Sequence, residues 1–430
     1  MTAEIAILNK SAVALAADSA VTIGSERSRK IFNTVNKLFT LSKHRPVGIM
    51  VYGSAQIMEV PWETIIKVYR QRLGCRSFAH LEGYAGDFLR FLDGNRSFFP
   101  ASEQRDYFQG LVSALFRRIN DDIKVKVKDV LDKSGKCTTA QVRQIVRSEI
   151  DSHFGKLKEV KILKGFSEKF AARLLRKFKV PLREIQARVF QKLPLSPPDK
   201  RKLNMMAGWL FVRDSFRIRG TSGVVIAGFG EMDIYPRLKE FIVEGVIEDK
   251  LRFRSQRDVQ IGSKTSASII PFAQSEVVRS FMEGMDPGVE GLLDKFLDEV
   301  FANYPNILLN HIPNLTTSAK AKAAKKTEAA SKNILEKFRA AFEKFRKETL
   351  INPIVSTVSV LPKDELAAMA EALVSLTSFK RKFSLDAETV GGPIDVAVLS
   401  KGDGFVWIKR KHYFKAELNP HFLTNYFQDD

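Results

Sequence analysis

The chain has 430 residues, 44% of them hydrophobic, which is ample material for a large core, and a formal net charge of +20 from 69 basic and 49 acidic side chains. Two separated cysteines, Cys75 and Cys137, argue against a secreted disulfide framework, and the six histidines (His44, His80, His153, His311, His412 and His421) lack metal-ligand spacing. There is no phosphate-binding loop, Gly228-Phe229-Gly230 is too short for a dinucleotide fingerprint, and neither a signal pattern nor a bilayer-length apolar run is present, so a cytoplasmic protein without cofactor or metal is expected.

The first elements read as hairpins. Ile5 and Ile7 alternate with Glu4 and Ala6, Asn9-Lys10-Ser11 is turn-like, and residues 13–17 are apolar again up to Asp18, so a buried hairpin ends in a carboxylate. A second hairpin runs through residues 36–41, a basic turn at 43–45, and residues 47–52 leading into Gly53-Ser54-Ala55. Residues 76–203 read as mainly helical and strongly basic from 156 to 202, with Pro197-Pro198 marking the exit.

Further along, residues 223–229 predict a central strand and 238–246 its neighbour, while 269–275 lead into a helix over 276–283. Residues 316–347 begin Lys- and Ala-rich and become Glu336-Lys337-Phe338-Arg339 and, seven residues on, Glu343-Lys344-Phe345-Arg346. That spacing puts Phe338, Phe345 and Phe342 on one helix face, which either docks on the protein's own core or faces a partner. Pro362 to Glu365 opens a helix with Leu366, Met369, Ala370, Leu373 and Leu376 at helical spacing, followed by a Gly391-Gly392 turn and a strand over 394–399.

Chemistry concentrates at the start. If Met1 is removed, Thr2 becomes terminal and carries both a hydroxyl nucleophile and an α-amine whose reference pKa of roughly 7.7–8.0 suits a base near neutrality. The order Thr2, Ala17-Asp18-Ser19, Lys37-Leu38, Gly53-Ser54-Ala55 resembles the catalytic β-subunits of the proteasome and their bacterial relative HslV, which are N-terminal nucleophile hydrolases. The stretch between Asp18 and Lys37 is about three residues longer than in that family, a length a loop absorbs.

The resemblance implies an α+β, four-layer αββα sandwich with a core of about residues 1–75, 204–305 and 350–414, interrupted by a basic helical insertion at 76–203 and a Lys/Ala-rich one at 306–349. It makes Thr2 the nucleophile, Asp18 and Lys37 the buried pair that sets the field around it, and Gly53 N–H the oxyanion donor. These roles are chemically coherent: a cation beside the hydroxyl favours deprotonation, the aspartate keeps that cation charged, and the backbone donor meets the developing oxyanion. Val21, Val51 and Ala55 fall on substrate-pocket positions, with core packing the other reading of the two valines.

Near the C-terminus, Asp386 and Thr389 match an Asp-x-x-Ser support for the nucleophile, with Thr in place of Ser and Val390 as an extra residue; Asp386 also suits a simple turn cap. The family's Gly-Ser-Gly is absent: its serine falls on Ala273, and Ser275 stands two residues away. The resemblance implies a threonine protease acting on protein or peptide amides, a homo-oligomer, and a possible ATP-dependent unfoldase partner. Two alternatives remain, a catalytically inactive structural or adaptor subunit of the same fold and a basic nucleic-acid-binding protein. The charge suits nucleic acid, although no recognisable nucleic-acid module accompanies it; no membrane partner is expected.

Overall fold

The computed structural model describes all residues except 1–2, 26–27, 192, 216–219, 314–315, 385–389, 413, 416–417, 422–423 and 425–430, and the backbone alone of 22–25, 28–31 and 317. The chain opens with β1 (Ala3–Asn9), β2 (Ala12–Ala17), β3 (Val21–Ser25), β4 (Ser28–Phe32), β5 (Leu38–Thr40), β6 (Val47–Gly53), β7 (Gln56–Ile57) and β8 (Val60–Pro61). Helices α1 (Trp62–Leu73), α2 (Leu81–Leu92), α3 (Ala101–Ser134), α4 (Thr139–Glu159), α5 (Glu168–Lys177), α6 (Lys179–Phe190) and α7 (Pro197–Val212) follow. Strands return as β9 (Ser222–Gly228), β10 (Arg237–Ile247), β11 (Lys250–Gln260) and β12 (Ala267–Ala273). After α8 (Glu276–Glu283), α9 (Pro287–Asn310) and α10 (Thr317–Phe345), a π-helical turn (Arg346–Ile351) continues into α11 (Asn352–Val358), then α12 (Lys363–Lys382), β13 (Asp395–Ser400) and β14 (Gly404–Lys409).

The protein is mixed α+β. Two five-stranded antiparallel sheets run in the orders β12-β1-β2-β13-β14 and β11-β10-β9-β6-β5. Strand periodicity sorts their side chains: Ala6 and Leu8 of β1 and Val13 and Leu15 of β2 share a core with Met50, Val225 and Leu238 of the other sheet. Ala3, Ile5 and Ile7 turn the opposite way and pack with Leu366, Ala370 and Leu373 of α12. On the second sheet's other face, Ile49, Val224 and Phe241 pack with Trp62, Ile65 and Tyr69 of α1 and Tyr84 and Phe88 of α2. Because both faces of each sheet are covered, β1, β2 and β9 are buried along their whole length rather than alternating.

Of the insertion expected at 76–203, α2 belongs to the sheet's own cover, while helices α3 to α7, which run on to Val212, build a separate core around Phe108, Phe116, Leu174 and Phe211 that meets β10 at Ile247. Capping boxes at Thr138 and Ser196 start α4 and α7. The second excursion is a pair of helices, because α10 packs along α9 and Arg339 pairs with Asp294 and Asp298. Phe338 and Phe345 do not dock on the core: they are 44% and 56% exposed, since α10 turns Leu335 inward and stacks Phe338 on Phe342 along its own surface.

At Gly228, where β9 leaves the sheet, φ is +137° and an added Cβ would lie 1.9 Å from the Pro46 carbonyl oxygen. Gly228→Ala is therefore expected to cost roughly 2–3 kcal/mol or more in equilibrium denaturation. Phe338→Ser, which loses only the stacking on Phe342 along the surface of α10, should cost about 0.5–1.5 kcal/mol.

Candidate active site

Asp18 stands one residue beyond β2, where the first hairpin closes: its N–H donates to Ala3 O at 3.0 Å, extending the β1–β2 ladder. Its carboxylate is fully buried and collects donors from segments far apart in sequence. Oδ1 accepts Ala3 N–H at 3.0 Å and Lys37 Nζ at 2.6 Å, while Oδ2 accepts Ala20 N–H at 3.2 Å and Gly391 N–H at 3.0 Å. Lys37 precedes β5, is 4% exposed, and also donates to Ala20 O at 2.6 Å. Burial draws Lys37 below the ordinary lysine value, outweighing the attraction of Asp18 and Glu4 that opposes the shift.

Gly391 is fastened in return, because Ser19 N–H donates to its carbonyl at 3.1 Å and Ser19 Oγ donates to Pro393 O. The glycine turn near the C-terminus is thus tied to the end of the first hairpin. Lys411 pairs with buried Asp395 in β13, opposite Ala17, and this second cation adds a small downward push on Lys37.

A cavity of about 210 Å³ opens beside the pair and is lined by Val21, Lys37, Val51, Gly53, Ala55 and Glu63, among others. Val21 and Val51 are nearly buried and supply its apolar wall. Gly53 has φ +82°, and a Cβ there would meet Thr221 O at 2.7 Å, so the chain makes this exit from β6 only with glycine. The adjoining loop is braced: Ser54 N–H donates to Thr221 O at 3.1 Å, Trp62 Nε1 to Ser222 Oγ at 2.8 Å, and Ser222 Oγ to Ser54 O at 3.0 Å. At the wall, Glu63 is held by Lys67 at 2.6 Å and by Asn36 at 3.3 Å.

Asp18, Lys37, Gly53, Val21, Val51 and Ala55 therefore converge, the first through its pairing with Lys37 and the rest on one cavity. Thr2, Asp386 and Thr389 lie outside the described residues; Ala3, which follows Thr2, and Gly391, two residues after Thr389, both donate to Asp18. Ala273 pairs with Ala3 at the end of β12, and Ser275 lines a different cavity, with Glu240 and Arg257, rather than the one holding Lys37.

Sequence reasoning passed over the Gly391 amide, which no side-chain pattern announces. It also passed over Glu4, an acidic residue on the same strand face as the buried Ala6 and Leu8 and 2% exposed. The period-2 pattern carried that signal. The ligand atoms of Asp122, Glu149 and His153 lie within 4.8 Å of one another, although their histidine spacing is unremarkable in sequence. His153 Nε2 bonds Asp122 at 2.8 Å, whereas Glu149 pairs with Lys126.

Comparison with protein-family models, curated proteins and solved structures returned no match. Among the described residues, no helix is long and apolar enough to cross a membrane.

Removing one partner of a buried pair strands the other charge. Lys37→Met is expected to destabilise by about 3–5 kcal/mol, and the double variant with Asp18→Asn by less than the sum of the two single changes. Equilibrium unfolding of the four proteins measures that coupling, expected at about 1–3 kcal/mol.

Proposed function

We propose that this chain is an N-terminal nucleophile amide hydrolase resembling proteasome β-subunits and HslV, with a four-layer αββα sandwich and Thr2, freed by removal of Met1, as nucleophile. The observation that carries the reading is that one carboxylate oxygen of Asp18 binds both the Ala3 N–H, which belongs to the peptide joining residue 2 to the chain, and the Lys37 ammonium. The start of β1 is thereby tethered to a buried cation. Support for the sandwich comes from the core shared by the two sheets and from the helices on their outer faces.

In this reading Thr2 Oγ attacks the substrate carbonyl carbon while its proton passes to the α-amine. The new C–O bond leaves an oxyanion for which Gly53 N–H is the donor. Collapse breaks the C–N bond, and the α-ammonium returns its proton to the leaving nitrogen. Water, deprotonated by the same amine, then cleaves the ester and restores the hydroxyl. Lys37 lowers the cost of negative charge on Oγ, and Asp18 keeps Lys37 protonated against the pull of burial.

The walls formed by Val21, Val51 and Ala55 suit a small or medium apolar side chain next to the cleaved bond, so a peptide or protein is the proposed substrate. The same reading carries with it a homo-oligomer and service by a separate ATP-dependent unfoldase.

The test is hydrolysis of a panel of fluorogenic peptide amides with apolar residues before the reporter. Thr2→Ala should reduce turnover by at least ~10³-fold while retaining the parent circular dichroism spectrum. Equal turnover in parent and Thr2→Ala would overturn the assignment.

A further inference from the structure

The space between the two sheets contains a carboxyl group that the proposed reaction leaves idle. Glu4 lies on β1 and faces inward with Ala6 and Leu8, while Ala3, Ile5 and Ile7 face α12. Across the ladders it stands opposite Ala17 and Phe272, neither of which offers a polar side chain. The residue is 2% exposed, and neither carboxyl oxygen has a hydrogen-bond partner among the described residues.

An ionised carboxylate in that position would be a buried charge without a hydrogen bond, an arrangement proteins avoid by neutralising the group. Burial accordingly pushes Glu4 well above the usual carboxylate range, against the smaller downward pull of Lys37 and with a small further push from Asp18. Several groups face it or its partners. Tyr52 of β6 is sensitive to Glu4 and is itself raised by burial and by its hydrogen bond to Glu240 of β10. Glu240 meets Arg257 of β11 at 3.4 Å, and Lys411, paired with Asp395, acts on Lys37.

We propose that Glu4 is a positioning residue that stores a proton in the space between the sheets beside the Asp18–Lys37 pair, so that β1 itself adds no third charge to that pair. With Glu4 neutral, the trio of Glu4, Asp18 and Lys37 sums to zero charge; with Glu4 ionised it carries one buried negative charge. That charge would raise the proton affinity of Lys37 against the pull of burial, as well as that of the terminal α-amine. Glu4 thus helps to set the pH at which Lys37 loses the charge that acts on the nucleophile. The catalytic half of this inference rests on the Thr2 reading, whereas the stored proton rests on the geometry of β1 alone.

Glu4→Gln keeps the shape and is neutral at every pH, and Glu4→Met does the same with an apolar side chain should the amide prevent folding. The sign follows from linkage. An unfolded chain releases the Glu4 proton near pH ~4.3 while the folded protein retains it, so this group's contribution is fully present below that pH and is lost as pH rises through the folded value. Thermal unfolding of parent and variants from pH 4 to 9 should therefore show a variant-minus-parent difference that grows in the variant's favour with pH.

In parallel, the rate at which a peptide epoxyketone adds to the protein should fall on an alkaline limb as Lys37 loses its proton, and that limb should move down in Glu4→Gln, which lacks the charge that helps to hold that proton. A stability difference that is flat with pH would overturn the stored proton. Coincident alkaline limbs in two proteins that both react would overturn the positioning role. If the parent does not react at all, the Thr2 reading fails, and the stability profiles alone decide whether Glu4 holds the proton.

Discussion

The arrangement depends on one buried ion pair. Asp18 and Lys37 are 0% and 4% exposed and 2.6 Å apart, and the aspartate also accepts backbone N–H groups from Ala3, Ala20 and Gly391. A buried pair is weak evidence of stabilisation, because desolvation offsets much of the Coulomb attraction. Here its structural consequence is connectivity: the first strand, the segment leading into the second hairpin, and a glycine turn more than 370 residues away by sequence separation all meet on one carboxylate. Loss of that carboxylate would leave a buried cation and three backbone donors to be satisfied elsewhere.

The large additions are fastened away from that point. Helices α3 to α7 have their own aromatic core and join the sheet through β10 and β11, where fully buried Arg252 pairs with Glu244 and donates to Phe211 O at 3.2 Å and Arg213 O at 2.9 Å. Tyr107 of α3 reaches the same Glu244 at 3.0 Å. In the order β11-β10-β9-β6-β5 this attachment lies at one edge, whereas Lys37 and Gly53 lie at the other. The fold thus accommodates a long basic insertion while leaving the cavity wall of β6 intact.

Much of this was legible in sequence because strands that bury both faces are written as short apolar runs with sharp stops. Asp18 stands at such a stop and Lys37 immediately before such a run, and Gly53 occupies a turn that excludes a Cβ. The start of α12 was legible for the same local reason: Pro362 precedes Asp364 and Glu365 in the first turn. What escaped was non-local. The partnership of Gly391 with Asp18 is a backbone contact between distant segments, and the exposure of Phe338 and Phe345 depends on which face of α10 meets α9. Glu4 is the instructive case, since alternation placed a carboxylate on an inward face, a conflict between local pattern and burial of the kind that collects at functional sites.

The central claim is that the chain exposes a reactive terminal threonine beside this ion pair. The most direct measurement is the intact mass of purified protein before and after treatment with a peptide epoxyketone, a reagent that requires a hydroxyl and a free amine on the same residue. The account predicts a mass lacking Met1 that gains one adduct, with no gain in Thr2→Ala. Retention of Met1, or an adduct that persists in Thr2→Ala, would contradict it.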